Sequence, residues 1–591
     1  MNDKKQKLEL TWIGKGEQPK LEPRILIEDQ AKSYGNRKAA NMLIYGDNLL
    51  ALKALEQDFS ESVKLVYIDP PFNTGAAFEH YDDSLEHSIW LDLMKKRFDI
   101  LKSLLRKDGF LVVHLDDKEA AYAKVVLDEV FGRSAYLNTI TVNANSPFGF
   151  KHTSNSIFKS ANFLLVYSKS FTDARINIVY KSRGYDKAYK YILENPANTF
   201  DQWKWKLVSD EFAESLGFAT AKEAKKRIDK EEFENVVADY AMNNATRVFR
   251  TAAVTGGAFL KRRETIEKSK THKNKVFVHP NDDMGYYFLN GERILFYDAR
   301  LQLIDGRLQP AEVLTDIWDD ISWEGIASEG GVEFPKGKKP ELLISRVIAL
   351  FSNEGDLVID SFLGSGTTAA VAHKMNRRWI GIELGDHCHT HCIPRLQRVC
   401  DGTDQGGVSE LVNWKGGSGF KYYYLAPSLL QQDSRGNWII SKEYNAVQLA
   451  AAMAKQEGFR FMPDETYYWK QGKSTEKDFI FITTNFVSVE LIDTIQGEMK
   501  EDESLLICCT SFSKAADKYP NITIKKIPKM LLGRCEFGKE DYSLNIVNMP
   551  HEDDEPDFIP TGTIASNTAK AKKKKENATA DLFSSANGGK K

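Results

Sequence analysis

At 591 residues, 42% hydrophobic and 28% charged, the chain is ordinary in composition and too long for one core; about three to four domains are expected. A net charge of −3 means that any nucleic-acid surface must be local. No stretch reaches the ~18 uninterrupted apolar residues of a membrane span. The start MNDKKQKLEL has no apolar signal core, and six cysteines make no disulfide framework, so a cytoplasmic protein is expected.

Residues 1–40 are mixed and polar, with an apolar island at Arg24–Ile27, and read as an arm or edge element. From Asn41 the pattern turns regular. NMLIYGD reads as a buried strand ending in a Gly-Asp turn, NLLALKAL has helical spacing, and KLVYIDPP is a second strand. A helical stretch around Trp90–Leu105 precedes a third strand, GFLVVHLD, and ANFLLVYSK (Ala161–Lys169) reads as a fourth. Strands alternating with helices predict an α/β fold with a doubly wound, mostly parallel sheet.

Residues 171–310 break that rhythm. YDKAYKYILENPANTFDQWKWK interleaves aromatics with lysines, and Arg247–Lys275 holds nine basic residues against two acidic ones. The α/β pattern resumes over 311–425. A separate, smaller α/β-like region covers 426–560, with strands such as DFIFITT and SLLICC. The basic tail, 561–591, is too polar to bury a core and is expected to be disordered.

Two stretches carry chemistry. In GDLVIDSFLGSGTTAAVAHKMNRRWIGIE (Gly355–Glu383), a strand ends at Asp360, Gly364 and Gly366 allow a tight loop, and Thr367–Lys374 opens a helix. The next strand ends at Glu383, 23 positions past Asp360, where a carboxylate is placed to bind ribose hydroxyls. Gly364, Gly366 and Ala369 also satisfy a dinucleotide spacing, and a glycine turn without a ligand is the plain alternative. Charge separates the first two: Asp360 would repel a pyrophosphate but attract the ammonium and sulfonium of S-adenosylmethionine.

The second stretch is LVYIDPPFNTG (Leu65–Gly75). The exocyclic amine of adenine is a poor nucleophile because its lone pair is delocalised into the ring. Acceptors aimed at its two hydrogens favour the rehybridisation that methylation needs. Asp69 offers one acceptor and the carbonyl of Pro70 another, held by the stiff backbone of Pro70 and Pro71. Phe72 offers a face for an extruded base. A strand-ending turn is the alternative, since proline and aspartate are common there.

Together these motifs resemble those of the β-class DNA amino-methyltransferases. DPPF stands at that family's catalytic motif and DSFLGSGTT at its methyl-donor motif, in the permuted order that defines the class. The resemblance implies a fold of the S-adenosylmethionine-dependent methyltransferase type, circularly permuted, with Asp47 near the donor's adenine. GKKPELL (Gly337–Leu343) matches the family's Lys-Pro motif. The resemblance therefore implies a cofactor set of Asp47, Lys339, Asp360, Phe362, Gly364, Gly366, Thr367 and Glu383, and a catalytic set of Asp69, Pro70, Pro71 and Phe72. Phe72 stands where tyrosine is usual.

LTWIGK, LVVHLDDKEAAYAKVVLDEVFG, TDIWDD, FPKGKKPELL and GGSGFKYYYL are similar to the modification subunits of type III restriction-modification systems. That resemblance implies an N6-adenine product on double-stranded DNA, a homodimer and a helicase-nuclease restriction subunit as partner. It divides the chain into an arm (1–40), a catalytic half (41–170), a target-recognition insertion (171–310), a cofactor half (311–425), a C-terminal domain for dimer or partner contact (426–560) and the tail. DNA contact is expected from Arg247, Arg250, Lys261, Arg262, Arg263, Trp203 and Trp205. A solvated charged helix over an aromatic core is the competing reading of that insertion. Methylation of RNA or a protein amide, and a catalytically silent specificity subunit, are the functional alternatives. HCHTHC (His387–Cys392) invites a zinc site, but no paired C-x-x-C completes a tetrahedron, and no metal is expected.

Overall fold

Short buried runs separated by helical stretches assemble one eleven-stranded sheet. The computed structural model describes residues 10–12, 15, 16, 19–71, 87–144, 157, 159–280, 282, 284–304, 307–334, 337–539 and 542. The strands are β1 (Leu26–Glu28), β2 (Tyr34–Gly35), β3 (Met42–Tyr45), β4 (Val63–Ile68), β5 (Leu105–Leu115), β6 (Tyr136–Asn143), β7 (Ala161–Ser168), β8 (Ile317–Trp318), β9 (Leu357–Asp360), β10 (Arg378–Glu383) and β11 (Gly419–Leu425). Their spatial order is β1-β11-β3-β10-β9-β4-β5-β7-β6-β8, with β2 also pairing β11. From β11 to β5 every pairing is parallel. β7 runs antiparallel to both β5 and β6.

β4 and β9 are buried along their whole length, which is why their centres read as apolar runs, LVYI in β4 and LVI in β9. The chain crosses from β4 to β5 through α2 (His87–Leu104) and from β9 to β10 through α5 (Thr367–Lys374). These crossovers head in opposite directions along the sheet. Right-handed connections therefore put their helices on opposite faces. α1 (Asn48–Phe59), α2 and α3 (Ala120–Phe131) pack together as one layer; α4 (Glu341–Phe351), α5 and α6 (Ile393–Asp401) form the other. In the second layer, Leu343, Ile344, Val347 and Ile348 of α4 share one core with Leu65, Tyr67, Phe110 and Val358 of the sheet. The winding reverses between β4 and β9, so a crevice opens at their carboxyl ends.

The fold is the doubly wound α/β architecture expected from the sequence. Ala161–Ser168 is the expected fourth strand, but its direction is antiparallel, which a run of apolar residues does not encode. β6 and β11 were not anticipated. The exposure of β6 is mixed, and four of the seven residues of β11 are tyrosine or lysine, so neither shows a clean period.

Two further bodies of structure carry cores of their own. A six-stranded antiparallel sheet lies within 191–296, over a cluster that includes Ile192, Phe212, Phe233 and Val248. Beyond β11, the parallel strands Asp478–Val487, Ser504–Phe512 and Ile522–Lys526 belong to a five-stranded sheet. The tail at 561–591 lies outside the described residues. Among the described residues no helix is long and apolar enough to cross a membrane.

Candidate active site

Four carboxylates stand at the carboxyl ends of adjacent strands: Asp47 after β3, Glu383 ending β10, Asp360 ending β9 and Asp69 after β4. The pairing of β9 with β4 brings the two sequence motifs, nearly three hundred positions apart, to neighbouring places at the winding reversal.

Asp360 organises its own loop. Its Oδ1 accepts from the Phe362 N–H at 2.9 Å and its Oδ2 from the Thr368 hydroxyl at 2.6 Å. Gly364 and Gly366 take φ of +56° and +82°, the left-handed region that disfavours a side chain. A Cβ at Gly366 would meet Cys392 at an ordinary contact distance of 3.4 Å, so the backbone conformation rather than space favours glycine there. The Gly364 N–H donates to Glu383 Oε2 at 2.7 Å, tying the loop to β10. Thr367, at the start of α5, accepts from the buried Arg395 at 2.7 Å. Burial lifts the Asp360 carboxyl to about 7, against the Thr368 and Phe362 hydrogen bonds, with Asp69 and Glu383 pushing the same way as burial.

Asp47 caps α1 by accepting from the Leu50 N–H at 3.0 Å. Its other oxygen accepts from the main-chain N–H of Tyr542 at 3.2 Å and lies 3.6 Å from Arg97. Asn48 bonds the Ser361 carbonyl at 2.7 Å, fixing α1 against the glycine loop.

Asp69 differs from these three. Its Oδ2 accepts from the Lys339 ammonium at 2.5 Å, while its Oδ1 is buried and, among the described residues, has no hydrogen-bond partner. Burial raises this carboxyl and Lys339 pulls it back. Trp90 donates to the Pro71 carbonyl at 2.8 Å, fixing the turn from behind. Phe72 lies outside the described residues. Lys339, grouped by resemblance with the cofactor set, thus meets the catalytic motif.

Sequence reasoning missed the layer beneath. His114 on β5 is gripped at both ring nitrogens, by Tyr67 Oη at 2.9 Å and Asn162 Nδ2 at 3.1 Å. Burial, with Lys339 adding, pushes it well below its usual pKa, so the imidazole is neutral. A histidine inside the aliphatic run FLVVHL was the available signal.

The expected DNA contacts divide. Lys261 and Arg263 are exposed on the helix Gly256–Thr271. Arg262, between them, is buried and forks onto Asp282 at 2.6 and 2.7 Å. Arg247 is taken by the Leu193 carbonyl and Glu211. Arg250 lies over the Tyr189 ring. Trp203 packs on Tyr287, its ring centroid 4.8 Å away, and Trp205 on Phe249 at 6.2 Å. In HCHTHC, His389 bonds Tyr422, His391 the Glu333 carbonyl and Cys392 the Gly364 carbonyl. Burial pushes the Cys388 and Cys392 thiols up, away from the thiolate a metal needs. Among the described residues no group of three or more His, Cys, Asp or Glu side chains is arranged to hold a metal.

The model of a family described as DNA methylase matches residues 63–392, more than half of the chain, and takes in both motifs and the crevice between them. The chain belongs to that DNA methylase family. Within it, the chain is 35% identical over 418 residues to the probable type III restriction-modification enzyme HindVI Mod subunit of Haemophilus influenzae, covering 66% of this chain and 54% of that one. Against the type III enzyme StyLTI Mod subunit of Salmonella typhimurium the identity is 23% over 380 residues, covering 58% and 51%. The chain thus spans about half the length of these two relatives. A solved DNA modification methylase of Thermus thermophilus, complexed with S-adenosyl-L-methionine, matches 65% of this chain and 98% of its own at 17% identity with a TM-score of 0.30.

Proposed function

We propose that the chain is a site-specific DNA adenine-N6 methyltransferase dependent on S-adenosylmethionine, working as the modification subunit of a type III restriction-modification system. The observation that carries this reading is the Asp69 carboxylate, held by one oxygen while the other, among the described residues, stays buried and uncommitted beside the Asp360 loop. A buried acceptor without a donor is costly, and a substrate amine would satisfy it.

The residues at the crevice fit the donor. Asp360 and Glu383 supply negative charge for a cationic ligand, and the buried Ser361 hydroxyl on the same loop has no partner among the described residues. Asp360, Phe362, Gly364, Gly366 and Thr367 would hold it, with Glu383 on its ribose, Asp47 at its adenine and Lys339 alongside. When bound, S-adenosylmethionine supplies an electrophilic methyl, whose C–S bond breaks, sulfur keeping the pair, as the adenine N6 lone pair forms the new N–C bond. Asp69 Oδ1 and the Pro70 carbonyl accept from the amine and draw its lone pair out of the ring. The surplus proton on the methylated nitrogen leaves along the Asp69 hydrogen bond. Asp69 need not be a strong base, because that nitrogen is acidic; orientation and fixed charge do most. Phe72 stacks the flipped base, and Lys261 and Arg263 neutralise phosphates. The active assembly is a homodimer joined by a separate helicase-nuclease subunit.

The deciding experiment transfers labelled methyl from S-adenosylmethionine to unmethylated genomic DNA, with wild type beside Asp69→Ala, and sequences the product as single molecules. N6-methyladenine at one short motif, reduced about a hundredfold or more in the variant, is expected. Undiminished transfer by Asp69→Ala would sink the mechanism, and methylation of RNA alone would sink the substrate.

A further inference from the structure

We infer that Lys339 is a positioning residue for the catalytic carboxylate: its ammonium grips Asp69 Oδ2, which leaves Oδ1 as the one carboxylate oxygen presented to the target amine, beside the Pro70 carbonyl. This rests on the reading of Asp69 given above and assigns Lys339 a task other than holding the methyl donor.

The geometry supports it from both sides. Lys339 approaches from the segment leading into α4, its side chain 9% exposed and its Nζ 2.5 Å from Asp69 Oδ2. That segment is anchored by the next residue but one. Glu341 is fully buried and receives Lys374 at 2.9 Å, Arg395 at 2.8 Å and the Val408 N–H at 3.0 Å. Glu341 thus fixes the amino end of α4 to α5, α6 and the turn beyond. Pro340 removes one backbone freedom between anchor and lysine. An ammonium on so short and pinned a tether is a fixed charge.

Charge makes the second half. Among the described residues, the groups acting on Asp69 are Lys339 from the α4 segment, Asp360 from β9 and Tyr67 from its own strand, with neutral His114 of β5 beside Lys339 and Glu383 behind Asp360. Among these, Lys339 is the cation; Asp360 is a like charge. Burial favours the protonated carboxyl, which would present a hydroxyl where an acceptor is required. Lys339 opposes that, so it sets the ionisation of Asp69 as well as its direction. A lysine that only packed the turn, or only touched the donor, would not control the protonation of Asp69.

The test uses the full chain with Lys339→Met and Lys339→Arg beside wild type, each first checked for folding by melting and for donor binding by calorimetry. Single-turnover methylation of a duplex carrying the recognised motif is then followed from pH 5.5 to 9.5 with donor saturating. Lys339→Met should move the acid limb of the profile up by about one to two units and recover much of its rate at high pH. Lys339→Arg should keep the limb near its wild-type place. A uniform loss at every pH overturns the inference. So does loss of donor binding with an unmoved limb, which would return Lys339 to the cofactor set. The protonated-carboxyl band of Asp69, read by infrared difference against Asp69→Asn, gives the same ionisation without any turnover. That band must persist to higher pH in Lys339→Met. If wild type methylates nothing, the functional reading fails while this spectrum still decides the role of Lys339.

Discussion

Asp360 poses the sharpest conflict between folding and function at the scale of one side chain. Its carboxyl lies at about 7 in the folded chain and near the usual carboxylate range when unfolded. A raised folded value stabilises the protein at low pH, and that stabilisation is lost as pH rises through about 7. At pH 8 the donor-free protein therefore holds a buried charge that it would be more stable without. Asp360→Asn should melt a few degrees higher than wild type at pH 8 without donor, and should bind S-adenosylmethionine at least about tenfold more weakly, by calorimetry. Wild-type affinity should itself fall about tenfold from pH 8 to pH 6, because only the ionised fraction attracts the donor's cation. A donor affinity flat across that range would remove Asp360 from the ligand's cationic end. Asp69 contrasts with it, since its charge is already partnered by Lys339.

At the scale of one helix, Gly256–Thr271 separates residues that the sequence makes look alike. Lys261, Arg262 and Arg263 are consecutive and all basic, yet helical geometry aims them about 100° apart, and only Arg262 turns inward to Asp282. Lys261→Ala with Arg263→Ala should weaken DNA binding and lower the slope of log affinity against log salt by about two, with melting unchanged. Arg262→Ala should instead lower the melting temperature, because it leaves Asp282 buried without its partner. An unaltered salt slope in the double variant would make this helix a solvated surface. The same contrast says what the sequence could disclose. Asp69, Asp360 and Glu383 were legible because each closes a buried strand with a proline or glycine within the next four residues, a local pattern with a local cause, whereas Asp47 came from the family resemblance alone. An aromatic core was one of two readings open for Trp203 and Trp205, and Arg262 was not legible as a packing residue. Whether an aromatic or an arginine faces a core depends on partners such as Tyr287, Phe249 and Asp282, brought up by pairing across the insertion. The Lys339–Asp69 contact is the extreme case, with 270 positions between its ends.

Across the whole molecule, the insertion is built to be separable. It leaves and re-enters at one place: Ser182 pairs Ala311, Tyr180 pairs Val313, and the Arg183 N–H donates to the Pro310 carbonyl at 2.8 Å. Its apolar clusters run from Tyr189 to Leu301 and share no residue with the core under β4 and β9. A two-residue Asn-Gly turn in place of 184–309 would close the hairpin Tyr180–Arg183 with Pro310–Val313, since type I′ geometry suits adjacent antiparallel strands. The shortened protein should fold and bind S-adenosylmethionine within a few-fold of the full chain, because every crevice residue lies outside the excised segment. It should also lose the single methylation motif and most DNA affinity, because the exposed Lys261 and Arg263 go with the insertion. Calorimetry with the donor and single-molecule sequencing of treated DNA read the two halves separately. Loss of donor binding would mean that the insertion braces the crevice, through contacts the separate cores do not suggest. Retention of the motif would move sequence recognition out of 184–309, and the sheet beyond β11 would then be the surface to mutate.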